Sequence, residues 1–234
     1  MLKKLRRVLS LGLLLFSGYL LIWAILSSMR QVVVQSISPS EMQIPSSGEP
    51  PIPSILESRQ VILEWPASMR IGDNGIITLI FEPIQKDAPS PDPQAELTNV
   101  YNNYNLMAEA RIEAVGIKVD PANPTRESMP SGQSVKFKWQ VSVEQAGSYN
   151  CNLWLSLRFL PLDGSQASQV PIYVHEVEIH ATSLVGMSGP VGRLLGGMGI
   201  IFSILVIFDD MIGLVTRWMK KRTTKVTKGT KDLE

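Results

Sequence analysis

Two long apolar runs, one near each end of the chain, constrain the fold more than any other feature. The first covers residues 8–26 and contains no charged residue over its 19 positions. The second begins near Pro190 and continues to Phe208. A helix needs about 20 predominantly apolar residues to cross the hydrocarbon core of a bilayer. The sequence therefore predicts two transmembrane helices, over residues 8–28 and 190–215, with a separate domain between them.

Charge is distributed unevenly, although the formal net charge of the 234 residues is only +1. Residues 1–28 carry +4, residues 217–234 carry +5, and residues 29–193 carry −6. Basic residues accumulate on the cytoplasmic side of membrane helices. We therefore expect both termini, residues 1–7 and 216–234, in the cytoplasm and the central domain outside the plasma membrane. The basic tail adjoins an apolar span, so its expected neighbours are lipid headgroups and not nucleic acid.

The first run also resembles a cleaved signal peptide, because basic residues precede an apolar stretch. However, the run is longer than a usual signal-peptide core, and Tyr19 and Trp23 resemble interfacial anchors. Retention as a membrane helix is therefore the favoured interpretation. The only cysteine, Cys151, lies deep in the chain, which excludes a lipoprotein anchor and an internal disulfide.

Apolar and polar residues alternate through much of the central region, which is the period of a half-buried β-strand. Alternation is clearest over residues 135–143 and 149–159, which we expect to be joined by a hairpin turn at 144–147. Further strands are predicted over residues 60–65, 76–82, 108–119 with a bend at Gly116, and a last strand that contains VHEVEIH at 174–180. Six or seven short strands predict an all-β domain, an immunoglobulin-like antiparallel sandwich over residues 56–183.

Two outer segments do not alternate. Residues 29–55 are predicted to form a stalk, because the region from 37 to 58 is rich in proline and serine. Residues 84–106 are predicted to form a long loop in which Tyr101 and Tyr104 are candidate contacts for a partner. The alternative is a surface excursion that packs its own tyrosines.

The stretch VHEVEIH nearly matches the zinc-protease motif HExxH, but His175 and His180 are five positions apart. On a strand, an odd separation places two side chains on opposite faces, so they cannot share one ion. The sequence also lacks GxSxG, Walker, Rossmann and CxxC patterns. No metal site, cofactor or catalytic residue is predicted, and we expect a protein that is not an enzyme.

The apolar runs carry small residues at helical spacing. In the second run these are Gly192, Gly196, Gly199 and Ser203, and in the first run they are Ser10, Ser17 and Ala24. In lipid, close backbone approach along such a stripe is a main source of helix association. The partner helix stays open at this point: it belongs to another subunit, to a second copy, or to the same chain.

Asp209 and Asp210 directly follow the second run. If the span continues to residue 215, both carboxylates lie inside the membrane and mark an ion path or a salt bridge to a partner helix. If the span ends near residue 208, they cap an interfacial helix that follows it. The second arrangement is favoured because it leaves no charge in hydrocarbon.

These features predict a two-span, non-catalytic accessory or structural subunit of a larger membrane protein complex, which presents its sandwich for protein interaction. Its expected partners are membrane proteins, in a hetero-complex or a homo-oligomer. The alternative is a cell-surface ligand-binding or adhesion module that acts through the sandwich and its 84–106 loop. The Asn-Pro-Thr triplet at 123–125 is blocked for glycosylation by its proline, which favours a bacterial source.

Overall fold

The chain divides into a helical unit and a β unit. The computed structural model describes residues 2–26, 29–38, 57–84 and 100–208. One compact unit comprises residues 1–27 and 187–234, and the other comprises residues 28–186. The described helices are α1 (Leu2–Ile25), α2 (Val100–Asn103) and α3 (Gly189–Phe208).

The β unit forms two five-stranded sheets. In chain order its described strands are β1 (Arg30–Ile37), β2 (Arg59–Pro66), β3 (Ser68–Arg70), β4 (Asn74–Pro83), β5 (Tyr104–Ala114), β6 (Lys118–Asp120), β7 (Thr125–Ser128), β8 (Val135–Ser142), β9 (Gly147–Pro161) and β10 (Ser168–Thr182). The first sheet has the order β1-β2-β4-β8-β6 and the second has the order β3-β10-β9-β5-β7. Among the described ladders only β3 with β10 is parallel. The predicted two-sheet sandwich is confirmed, whereas its immunoglobulin-like type stays a prediction.

The core lies between the two sheets and follows directly from the alternation of the strands. On β8 the residues Val135, Phe137, Trp139 and Val141 are at most 4% exposed, and the lysines between them face solvent. Strand β9 contributes a matching inward row from the second sheet. Each large apolar side chain that is fully buried in this way stabilises the fold by about 1.5–3 kcal/mol.

The expected hairpin between residues 135–143 and 149–159 is wrong. Both segments are strands, but β8 belongs to the first sheet and β9 to the second. Residues 143–146 therefore connect the two sheets across one end of the core. Two apolar faces can be buried side by side in one sheet or face to face across a core, and alternation alone does not distinguish these arrangements.

The single strand expected over residues 108–119 is also two strands in different sheets. Strand β5 belongs to the second sheet and β6 to the first, and the chain crosses between them at Gly116. Gly116 has a φ of +78°, and a Cβ there would lie 2.8 Å from the Cε1 atom of Tyr149. Glycine is needed at this crossing because both the backbone conformation and the space exclude a side chain.

The predicted stalk over residues 29–55 begins too early. Residues 30–37 form β1, which pairs along its whole length with β2 from Arg30 opposite Pro66 to Ile37 opposite Arg59. Ile37 is buried in the core, and Val33 packs partly against it. The strand was missed because its three consecutive valines hide the alternation, although β-branched residues favour strands.

Candidate functional site

Helices α1 and α3 are long and apolar enough to cross a membrane, and they pack against each other within the helical unit. A Cβ on Gly196 would lie 2.9 Å from the backbone nitrogen of Leu21 and 3.0 Å from the carbonyl oxygen of Ser17. A Cβ on Gly199 would overlap the Ser17 side chain. The glycines of α3 thus let the two backbones approach each other closely.

The remaining small residues of the two stripes lie along the same helix pair. A Cβ on Gly192 would lie 3.4 Å from the Cβ of Ala24. Ser10, Ser17, Ala24 and Ser203 are buried, each with at most 7% of its surface exposed. The hydroxyl of Ser203 donates to the carbonyl of Gly199 at 2.7 Å, so it is satisfied inside its own helix. The predicted small-residue stripes therefore meet between two helices of one chain.

Two further features belong to the helix pair. Arg193 donates from Nη1 to the carbonyl oxygen of Ala24 at 3.2 Å, and thereby binds one of the last carbonyls of α1, which have no partner inside their own helix. Near the start of α1, the two helices leave a mostly apolar crevice. It is lined by Arg6, Leu9, Ser10, Leu13, Phe202, Ser203 and Val206.

Asp209 and Asp210 lie outside the described residues, as does the basic tail. The choice between acids inside the membrane and acids that cap an interfacial helix therefore stays a prediction. Most of the 84–106 loop, residues 85–99, also lies outside the described part of the chain.

The two loop tyrosines lie on the sandwich itself. Tyr101 lies in α2 and not in a loop, and its hydroxyl donates to Oε1 of Glu57 at 2.7 Å. The ring of Tyr104 packs edge-on against Phe159, with 6.1 Å between the ring centroids. Burial, together with the hydrogen bond to Glu57, raises the pKa of Tyr101 above its usual value, so the phenol stays protonated as a donor.

Glu57 is the centre of a polar cluster that the sequence analysis missed. It accepts hydrogen bonds from the guanidinium of Arg59, the hydroxyl of Tyr101 and the backbone nitrogen of Gly132, the last at 3.1 Å. A carboxylate that accepts several hydrogen bonds compensates for the burial of its charged partner. The cluster joins β2, α2 and the loop before β8.

Arg59 is the most deeply buried charged residue among the described ones, with no exposed surface. Besides Glu57, it donates to the carbonyl oxygens of Gln133 at 2.8 Å and Pro130 at 3.3 Å. Its guanidinium lies over the ring of Phe81, 5.2 Å from the ring centroid. Burial without these partners would be prohibitive, so the cluster fixes the conformation of residues 130–133.

A second polar cluster links four strands on the outer face of the second sheet. Glu109 on β5 accepts from Arg126 Nε on β7 at 2.5 Å and from Gln169 Nε2 on β10 at 3.2 Å. Arg158 on β9 lies 3.7 Å from the same carboxylate. The hydrogen bond from Arg126 lowers the pKa of Glu109 below its usual value.

Trp154 lies on the same outer face, beside a shallow crevice. The guanidinium of Arg111 lies 5.4 Å from the Trp154 ring centroid, and the indole nitrogen donates to Oε2 of Glu113 at 3.2 Å. The crevice next to it includes Glu113, Val115, Asn150 and Asn152. The alternation of a strand predicts only that its outward residues face solvent, so it does not indicate that these residues lie together.

The histidines of VHEVEIH lie on opposite faces of β10, as the odd separation requires. His175 stacks on Tyr173 with 5.9 Å between ring centroids, on the inward side. His180 is exposed, and its Nδ1 lies 2.7 Å from Oγ of Ser148, its cross-strand partner. Glu178 approaches the other ring nitrogen of His180 at 3.6 Å. This Ser-His-Glu contact is open to water, which competes for each of its hydrogen bonds.

Cys151 belongs to the core. Its side chain is 1% exposed, opposite Ala114 and Val177 on the neighbouring strands. Burial raises the pKa of the thiol to about 11, so the sulfur is neutral near pH 7. A neutral buried thiol is a small apolar side chain and not a nucleophile.

The helix pair can be tested with one disulfide and two matched glycine replacements. Cysteines at Ala24 and Gly192 have Cβ atoms about 3.4 Å apart, close to disulfide geometry, so mild oxidation should give an internally cross-linked monomer. Adding Gly196→Leu should suppress this cross-link, because the side chain would collide with the backbone of α1.

The control for that experiment is Gly197→Leu, since no described atom lies within 4 Å of a Cβ at that position. It should leave the cross-link unchanged. Mobility on non-reducing gels distinguishes an internal disulfide from one between copies. A disulfide-linked dimer in place of the monomer would contradict the packing of α1 on α3 within one chain.

Removal of the Glu57 carboxylate should strongly destabilise the sandwich. Glu57→Ala leaves the buried guanidinium of Arg59 without its ion partner, which typically costs about 3–5 kcal/mol of unfolding free energy. Glu113→Ala removes the partner of an exposed pair with Arg111 and should cost at most about 1 kcal/mol. Urea unfolding of the full-length protein in detergent, followed by tryptophan fluorescence, compares the two variants; equal losses would argue against the role given to the cluster.

The Glu109 cluster predicts a loss of stability in acid. Because the folded pKa lies below the unfolded value of about 4.3, the stabilisation is present above that pH and is lost as the pH falls through the folded pKa. Glu109→Gln should therefore flatten the decline in unfolding free energy below about pH 5. Glu127→Gln makes the same change of charge at an exposed position of β7 and should not alter the pH dependence of the unfolding free energy. A wild-type pH dependence in Glu109→Gln would refute the role given to Glu109.

No protein-family model matches the chain, and no curated protein matches it. Among solved structures, it is similar to the crystal structure of the cupredoxin domain of amoB from Nitrosocaldus yellowstonii, with 14% sequence identity and a TM-score of 0.24. The match covers 46% of this chain and 56% of that chain, so it spans little more than half the length of the cupredoxin-domain structure. Similarity at this level identifies neither a family nor a function, so the function has to be inferred from the residues of this chain.

Proposed function

We propose that the protein is a non-catalytic, membrane-anchored accessory subunit of a larger membrane protein complex, and that its sandwich serves protein interaction. The observation that carries this proposal is the packing of α1 on α3 at backbone distance. A domain that only needs a tether requires a single span. Two spans locked together by Gly192, Gly196 and Gly199 form a two-helix surface of defined shape, which a neighbouring membrane protein can recognise.

The exposure of the helix pair supports its place in a membrane. Only 22% of Val8–Ile25 in α1 and 17% of Gly189–Phe208 in α3 is buried, whereas the core helix of a water-soluble domain is mostly buried. Their outward side chains are large and apolar, for example Leu15 at 67% and Leu205 at 62% exposure. Contiguous apolar surface of this kind is stable in lipid and a liability in water.

The packing also favours retention of the first span over its removal as a signal peptide. Ser17 and Ala24 of α1 are nearly inaccessible because α3 covers them. The basic residues outside the two spans then orient the protein, with both termini in the cytoplasm and the sandwich on the outer side. A bacterial plasma membrane is the setting that fits the glycosylation-blocked triplet at 123–125.

Protein interaction is favoured over catalysis by what the polar groups of the sandwich do. The carboxylates of Glu57, Glu109 and Glu113 are each engaged with an arginine, and the pair of Glu109 with Arg126 links β5 to β7. The thiol of Cys151 is neutral and buried. These groups stabilise a rigid surface, which suits docking of a partner.

The alternative function is a ligand-binding module, which would act through the sandwich and its 84–106 loop. Its two candidate contacts, Tyr101 and Tyr104, pack on the sandwich. These contacts therefore do not support a role of the two tyrosines in ligand binding. Subunit interaction is therefore the function that the described geometry supports best.

The test is purification of the tagged full-length protein from its native membrane in mild detergent, with co-purifying proteins quantified by mass spectrometry. We expect a fixed set of other membrane proteins in constant ratio. Gly196→Leu should reduce their recovery, whereas Gly197→Leu should not, because only the first disturbs the helix pair. Recovery of the protein alone, or only with copies of itself, would overturn the proposal.

A further inference from the structure

The free edges of the two sheets differ sharply in length. Among the described strands, β1 and β6 border the first sheet, and β3 and β7 border the second. Strands β3, β6 and β7 are only three or four residues long, whereas β1 has eight. Native proteins keep exposed edges short because unpaired backbone groups there recruit further strands. Strand β1 is the exception in this sandwich.

The side chains of β1 also lack the usual protection of an edge. Strands β3, β6 and β7 each carry at least one charged residue within their few positions. In β1 the only charge is Arg30 at its first position, and the following seven residues are uncharged. A regular, uncharged edge of this length is suited to pairing with another strand.

An aliphatic strip continues from this edge across the outer face of the first sheet. Val32 and Val34 of β1 are 55% and 59% exposed. Val34 lies opposite Ile62, and Ile62 lies opposite Ile80 on the next strand. Cross-strand neighbours of this kind share one face, so the strip ends abruptly at the edge of β1. A strand added there would extend it and cover Val32 and Val34.

The sequence of β1 is suited to antiparallel pairing with a copy of itself. Residues 31–35 read QVVVQ, which is the same in both directions. We propose that β1 pairs antiparallel with β1 of a second copy of this chain, about a two-fold axis at Val33. This register places Gln31 opposite Gln35 and Val32 opposite Val34, and it sets Arg30 against Ser36 with no like charges opposed.

The pairing would join two first sheets into one continuous sheet. The outward valines of both copies would then form a single aliphatic cluster across the new boundary. Because each chain offers one such edge and the axis is two-fold, the contact is self-complementary and stops at a dimer. This inference is independent of the proposed subunit role, since a dimer can form with or without other proteins.

Cysteine pairing tests the register directly. Differently tagged Val32→Cys and Val34→Cys chains are co-expressed at full length, and native membranes are mildly oxidised. The predicted register brings positions 32 and 34 directly opposite each other, while like positions are diagonal neighbours about 7–8 Å apart and beyond disulfide reach. The two tags should therefore appear together in one disulfide-linked dimer, and neither variant should cross-link with itself to a similar extent.

The chain provides good controls for this experiment. The native Cys151 is buried, so it does not compete for cross-linking. Ile76→Cys lies on the same outer face of the same sheet with 55% exposure, equal to that of Val32, but it is on β4 and should give no dimer. A dimer from Ile76→Cys comparable to that of the mixed pair would show random collision and overturn the assignment.

Disruption provides the second test. Val34→Lys, introduced into the Val32→Cys chain, places a charge at the boundary and should suppress the cross-link of that chain to the Val34→Cys chain. Ile76→Lys in the same Val32→Cys chain should leave the cross-link intact. Both positions are exposed, so unfolding curves should match the wild type. Absence of the cross-link in membranes, its appearance in detergent alone, or cross-linking of position 32 to a different protein would each refute pairing of β1 with a second copy. Recovery of other membrane proteins, measured separately, reports on the subunit role alone.

Discussion

The burial of two alternating apolar faces against each other is the interaction on which the β-sandwich domain depends. With a single cysteine there is no disulfide, so the sheets are held by their core and by the polar clusters around it. The inward rows of β8 and β9 come from different sheets and meet across this core. This contact decides which residues of each strand face solvent, because a strand that turns its apolar row inward must turn its polar row outward.

The polar clusters lie around the apolar core, at one end of the sandwich and on an outer face of the second sheet. Arg59 and Glu57 close one end of the sandwich, where a guanidinium inside the protein is made tolerable by a carboxylate, two carbonyls and an aromatic ring. Glu109 and its arginine partners join strands on an outer face. An intact buried pair recovers little beyond its own desolvation cost, whereas removal of one partner is costly because it leaves the other charge buried without compensation.

The helix pair follows a different physical rule. In lipid the apolar effect does not drive helices together, so close packing of small side chains takes its place. Gly196 illustrates the consequence: the position requires the absence of a side chain, because the backbone of α1 occupies the space. The sandwich therefore depends on the apolar side chains that it buries, whereas the packing of the helix pair depends on the absence of side chains at its glycines.

The sequence by itself determined the two apolar helices, the faces of the main strands, the core position of Cys151 and the separation of His175 from His180. Each of these depends on a local period, which the order of residues contains completely. Tertiary structure alone decided that β8 and β9 lie in opposite sheets, that β1 joins the sandwich, and that Glu57, Arg59 and Tyr101 meet. It also decided that the small residues of α3 face α1 of the same chain. A period fixes the direction in which a side chain points, but the neighbour it meets depends on contacts between residues far apart in the chain.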